Sequence, residues 1–133
     1  MSSQKQAVLL IEDDACISEV IVFALELDCY QVRAAESRDQ AVEVLAQQPV
    51  DIIIMDLHMP GMGPEDFIAK VRKEHPATHI ILLTASDCVV SKANALGLDL
   101  WIGKPFELEA LLQLMRGCKR KSRSSASLAG TKL

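Results

Sequence analysis

The chain has 133 residues, the size of one ordinary domain, and 50% of them are hydrophobic, enough for a packed core. No run of about 18 apolar residues occurs, which excludes a membrane-spanning helix. The net charge of −4 is unevenly spread: from Arg116 onward there are six basic residues and no acid, so the rest carries eight basic residues against all 18 acids.

Residues 1–6 form a short polar segment without a signal-peptide layout. Apolar runs then alternate with helical patterns five times. The expected strands are Ala7–Ile11, Gln31–Ala34, Asp51–Met55, His79–Leu83 and Leu100–Ile102. Ala7–Ile11, Ile52–Met55 and Ile80–Leu83 are continuously apolar, the pattern of parallel strands covered on both faces. After the first strand, Ile17, Val20, Ile21, Ala24 and Leu25 line one face of a helix. After the second, Ser37 and Gln40 read as a capping box opening a helix with Ala41, Val44 and Leu45. Pro64 suits a first helical turn and is followed by Phe67, Ile68 and Val71. Val89 to Leu96 makes a shorter helix stopped by Gly97, and a last helix buries Leu108, Leu111, Leu112 and Met115. Five βα units predict one doubly wound α/β domain over residues 7–116. Residues 117–133, basic and Ser-rich, read as a disordered tail or linker. The acidic body argues against direct nucleic-acid binding by the domain. Cys16, Cys29, Cys88 and Cys118 show no metal spacing and read as free thiols in a reducing cytoplasm.

Ligands of an open parallel sheet bind beyond the carboxyl ends of its strands. Glu12-Asp13-Asp14 follows the first strand, Asp56-Leu57-His58-Met59-Pro60 the third, Thr84-Ala85-Ser86 the fourth and Lys104-Pro105 the fifth. The second is followed by Ala35-Glu36-Ser37, where nothing reactive stands. Carboxylates about 5 Å apart repel by roughly 3 kcal/mol at an effective dielectric of 20, so three of them need a cation. Mg²⁺ suits oxygen ligands and keeps several waters. Each residue also has a plainer reading. Asp14 can simply cap the next helix, Lys104 can be a surface lysine, Thr84 a strand-end threonine and Trp101 a packing residue. Cys16 reads as packing, and His75 and His79 as structural or exposed.

Leu9-Leu10-Ile11-Glu12-Asp13-Asp14, Asp56-Leu57-His58-Met59-Pro60-Gly61, Leu83-Thr84-Ala85 and Lys104-Pro105-Phe106, in this order, resemble the receiver domain of two-component response regulators. The resemblance covers about residues 7 to 116 and implies a flavodoxin-like sheet of order 2-1-3-4-5 with five helices. It implies phosphoryl transfer onto Asp56 from a histidine kinase or histidine phosphotransfer protein, as an aspartyl phosphate. Mg²⁺ would be held by Asp13, Asp56 and the His58 backbone carbonyl, with Glu12 reaching it through water. Lys104 would pair with a phosphoryl oxygen and Thr84 would donate to one, while Ala85 leaves the site accessible. Thr84 and Trp101 stand at the family's switch positions. The implied role is a signalling phospho-acceptor that assists its own phosphoryl transfer and dephosphorylation, rather than an enzyme. Its partners would be the phosphodonor and an output domain or effector, with a phosphorylation-dependent dimer also in the family's repertoire and no membrane contact. The His58 side chain would lie at the mouth of the site and tune dephosphorylation. Gly63-Pro64 replaces the usual Asp-Gly, which predicts a stiffer loop and intact chemistry. Two other readings remain: an unphosphorylated pseudo-receiver, and a haloacid-dehalogenase-like phosphatase, which would want an acid where His58 stands. Nucleotide-binding glycine loops are missing from the sequence.

Overall fold

The computed structural model describes residues 5–85 and 89–118. The elements run β1 (Ala7–Ile11), α1 (Ala15–Leu27), β2 (Gln31–Ala35), α2 (Arg38–Gln47), β3 (Ile52–Asp56), α3 (Pro64–Glu74), β4 (His79–Ala85), α4 (Val89–Ala95), β5 (Leu100–Lys104) and α5 (Leu108–Arg116). All strand pairs are parallel and the order is β2-β1-β3-β4-β5, as expected.

Alternation along each strand divides the core into two layers. Leu9, Ile11, Ile53, Met55, Ile80 and Leu82 pack beneath α2, α3 and α4. Val8, Leu10, Ile52, Ile54, Ile81 and Leu83 pack beneath α1 and α5. The three central strands are therefore apolar at nearly every position, whereas edge strand β2 keeps Gln31, Arg33 and Ala34 exposed. Among the described residues no helix is long and apolar enough to cross a membrane.

Local signals act at the helix ends. The Asp14 carboxylate accepts from the N–H groups of Cys16 (2.9 Å) and Ile17 (3.1 Å), so it caps α1. Ser37 caps α2 by accepting from Gln40 N–H, but Gln40 Oε1 returns to Glu36 N–H (2.7 Å) rather than to Ser37 itself. Gly63 precedes α3 with Pro64 in its first turn. Helices α1 and α4 end alike: Tyr30 N–H reaches Leu25 O and Leu98 N–H reaches Ala93 O, each closing over a left-handed residue. That residue is Gly97 in one case and Cys29 in the other, at φ 71°.

Four expectations need correction. Strands β3, β4 and β5 run on through Asp56, Thr84 and Lys104, because the parallel ladder continues across Asp56↔Leu83, Thr84↔Gly103 and Ala85↔Lys104. Asp56, Thr84 and Lys104 thus sit on rungs of the sheet rather than on loops, whereas Glu12 and Asp13 follow the end of β1. Val20 is 54% exposed and lies with exposed Phe23 and Leu27 outside the buried Ile21–Leu25 edge of α1. In α5 only Leu111 and Met115 are buried, with Leu108 and Leu112 half-buried, because α5 meets the sheet along a narrow strip. Cys16 is exposed on the first turn of α1 and so is no packing residue. Residues 1–4, Ser86, Cys88 and residues 119–133, with most of the expected tail, lie outside the described residues.

Candidate functional site

The carboxyl ends of β1, β3 and β5 bring Glu12, Asp56 and Lys104 together, with Thr84 near the end of the intervening strand β4. Asp56 ends the central strand and is 5% exposed. Its Oδ1 accepts from His58 N–H at 3.0 Å and its Oδ2 from Lys104 Nζ at 2.7 Å. The same ammonium reaches Glu12 Oε1 at 3.2 Å, so Lys104 bridges two buried carboxylates. Glu12 Oε2 accepts from Asp14 N–H at 3.1 Å. A salt bridge this close to the interior survives only because each carboxylate also accepts a backbone N–H.

Burial raises the Glu12 pKa above the ordinary carboxylate value; the Asp14 hydrogen bond opposes this, the Asp56 charge adds to it, and Lys104 pulls back. For Lys104, burial acts downward, but the hydrogen bond and charge of Asp56, then those of Glu12, win, and the net shift is upward. The ammonium form is the one these two acids hold.

Thr84 is 1% exposed and its Oγ1 has no hydrogen-bond partner among the described residues. A buried hydroxyl in that condition costs about 1–3 kcal/mol. It is paired across the ladder with Gly103, and Leu82, two residues earlier on the same face, is paired with Trp101. Gly103 offers no side chain beside Thr84, so the next β5 side chain on that face is Trp101, at 39% exposure. Ala85 is exposed, leaving the approach to the strand ends open on that side.

Asp13 is exposed and is not gathered with Glu12 and Asp56; no three His, Cys, Asp or Glu side chains converge as a metal cluster among the described residues. Lys104 takes up the inward oxygens of two of the acids, and the turn into α1 leaves Asp13 facing solvent. The His58 side chain is exposed, and His75 and His79 are half-buried away from these strand ends.

The sequence reading missed Arg38. The β2–α2 connection, which looked inert, delivers this arginine at the first position of α2 and buries it to 2% exposure. Its guanidinium donates to the backbone carbonyls of Met62 (2.7 Å), Asp56 (3.1 Å), Leu57 (3.3 Å) and Met59 (3.4 Å). Burial lowers its pKa, and Asp56, Glu65 and Asp39 oppose that shift. Beside it, Asp39 Oδ2 accepts from Met62 N–H and lies where a Cβ on Gly61 would stand. Gly61 has φ 91°, so both its backbone and its surroundings require glycine. One cue was available in the sequence: a charged residue directly after the Ser37 cap, on the helix face that carries Ala41 and Leu45.

The chain is 29% identical over 130 residues to the uncharacterized transcriptional regulatory protein YkoG of Bacillus subtilis, spanning 96% of this chain and 57% of that protein. It is 34% identical over 110 residues to the response regulator protein FleR of Pseudomonas aeruginosa, spanning 81% of this chain and 23% of that one. The chain thus matches only part of the length of these relatives. Among solved structures, chemotaxis response regulator CheY4 of Vibrio cholerae superposes with a TM-score of 0.79 at 28% identity, covering 87% of this chain and 100% of that one. The family of the response regulator receiver domain matches residues 8–116, a stretch that begins in β1 and ends with α5. Fold, strand order and this match agree, and the chain belongs to the receiver domains of two-component response regulators.

Proposed function

We propose that Asp56 is the phospho-acceptor, taking a phosphoryl group from a histidine kinase or histidine phosphotransfer protein with Mg²⁺ present. The observation that carries this reading is the surroundings of Asp56: a buried carboxylate held by the Lys104 ammonium, on a strand whose neighbour β4 carries a buried Thr84 hydroxyl near the same sheet end with no hydrogen-bond partner among the described residues. A phosphoryl group on Asp56 supplies that partner.

The chemistry of the donor set suits Mg²⁺, being all oxygen: Asp13, Asp56 and the His58 carbonyl would hold the ion, with Glu12 supporting it through water. Asp13 is exposed next to Glu12 on the same short turn, and its side chain would turn toward Asp56 to join the ion. When bound, the ion offsets negative charge on the transferring phosphoryl group. The chain's own groups do the rest. An Asp56 oxygen forms the new bond to phosphorus as the bond to the donor nitrogen breaks. Lys104 shifts its charge to a phosphoryl oxygen, and Thr84 donates its hydroxyl proton to another in a hydrogen bond. His58 N–H, already directed at the Asp56 carboxylate, keeps the acceptor oriented.

The conformational signal then passes along the face shared by Thr84 and Trp101. As Thr84 moves toward Asp56, Trp101 turns inward over Gly103 from its exposed position, altering the surface of α4, β5 and α5. A charge-assisted hydrogen bond contributes about 1.5–3 kcal/mol, and shifting a population from 1:99 to 99:1 needs about 5.5 kcal/mol. Lys104 and the metal therefore share the work, or the resting protein already samples the active form.

Two measurements test this. Intact mass after acetyl phosphate and Mg²⁺ will show one phospho-adduct in the native protein and none in Asp56→Asn; an equal adduct in the mutant rejects the assignment, and no adduct in either favours an unphosphorylated docking module. Emission of Trp101, the only tryptophan, will change on adding Mg²⁺ and beryllofluoride, and change much less in Thr84→Ala. Equal responses would mean that Thr84 does not couple the site to Trp101.

A further inference from the structure

We propose that Arg38 is a positioning residue for the metal: it clamps the loop after Asp56 so that the His58 carbonyl is the oxygen left for the cation. The inference rests on the phospho-acceptor reading and extends it to a residue outside the acid loops.

The clamp is a matter of which carbonyls are taken. A guanidinium has five N–H donors in a rigid plane. Arg38 directs them at the carbonyls of Asp56, Leu57, Met59 and Met62, on both sides of His58 in the chain. Among the described residues no hydrogen bond reaches the His58 carbonyl, while the His58 N–H is fixed on Asp56 Oδ1. Residue 58 is thus held at its N–H, its neighbours are held at their carbonyls, and its own carbonyl stays uncommitted. Asp39 holds the far end of the same loop through Met62 N–H and packs against Gly61. Two consecutive residues at the start of α2 therefore fix residues 56–62. Arg38 also places a buried positive charge behind Asp56, bonded to its backbone carbonyl rather than to its carboxylate. This is the outer-sphere arrangement that sets ligand orientation at metal sites generally.

Lysine cannot reproduce it, having one point of donation in place of a fork. The test compares Mg²⁺ affinity by titration calorimetry in the native chain, Arg38→Lys, Arg38→Met and Val44→Ala. Val44→Ala removes a buried contact of the same helix and controls for lost stability. Amide exchange at Met59 and Met62, without added metal, reports the loop directly. Both Arg38 variants are expected to bind Mg²⁺ about 10-fold more weakly or worse, with faster exchange at Met59 and Met62, while Val44→Ala stays within about twofold of native. Native-like Mg²⁺ affinity in the Arg38 variants, or an equal loss in Val44→Ala, overturns the proposal and leaves the phospho-acceptor reading standing. A native chain that binds no Mg²⁺ overturns both. Should the Arg38 variants not fold, Asp39→Ala, which loosens only the far end of the loop, is expected to weaken Mg²⁺ binding more than Val44→Ala does. An Asp39→Ala affinity equal to native would then reject the clamp.

Discussion

Two short connections flank Asp56, and they divide its support between them. In β1–α1, Glu12 turns inward to Lys104, Asp13 stays exposed and Asp14 caps α1. In β2–α2, Ser37 caps α2 while Arg38 is buried beneath the β3–α3 loop and Asp39 packs on its turn. Both are helix N-termini built on a capping side chain. The first places charge near the reacting oxygens and leaves one of its acids exposed. The second spends its neighbouring residues on backbone carbonyls and leaves nothing loose. The lesson is that the residues which look chemical need not be the ones that make the site rigid.

Equilibrium unfolding in urea can separate these roles. Arg38→Ala should have the largest effect, a loss of about 2–4 kcal/mol, because buried carbonyls left unsatisfied cost about 1–3 kcal/mol each and water will satisfy only some of them. A loss below about 1 kcal/mol would show that the loop stands without its arginine. Gly61→Ala comes next, at about 1–2 kcal/mol, since alanine resists a positive φ and its methyl group displaces Asp39. Asp14→Ala and Ser37→Ala should each cost about 1 kcal/mol, the ordinary value of a helix cap. If the two caps differed several-fold, the likeness between the connections would fail. Asp13→Ala should change stability least, within about 0.5 kcal/mol, as befits an exposed residue. Calorimetry should nonetheless find most of the Mg²⁺ affinity gone in that variant. A stability loss without an affinity loss would make Asp13 structural and reverse its proposed role.

Much was written in the local sequence. Continuous apolar runs announced the three central strands because both faces of those strands are covered. Caps at Asp14, Ser37 and Gly63-Pro64 and the stop at Gly97 marked helix ends within a residue or two, since such signals act over one turn. Four motifs in order placed Glu12, Asp56, Thr84 and Lys104 at strand ends, and the parallel topology brings those ends together. Tertiary structure alone decided three things. Lys104 is shared between Glu12 and Asp56 because the neighbouring strands β1 and β3 end side by side and β5 runs on past them to Lys104, a relation that no spacing along the chain encodes. Trp101 and Thr84 lie on one face with Gly103 between them because of ladder register, a relation between strands rather than within one. Arg38 found its partners 18 to 24 residues away in backbone carbonyls, and carbonyls have no residue type. A sequence displays side chains, so a cation held by side-chain acids can be anticipated from it, whereas one held by main chain becomes visible only once the chain has folded around it.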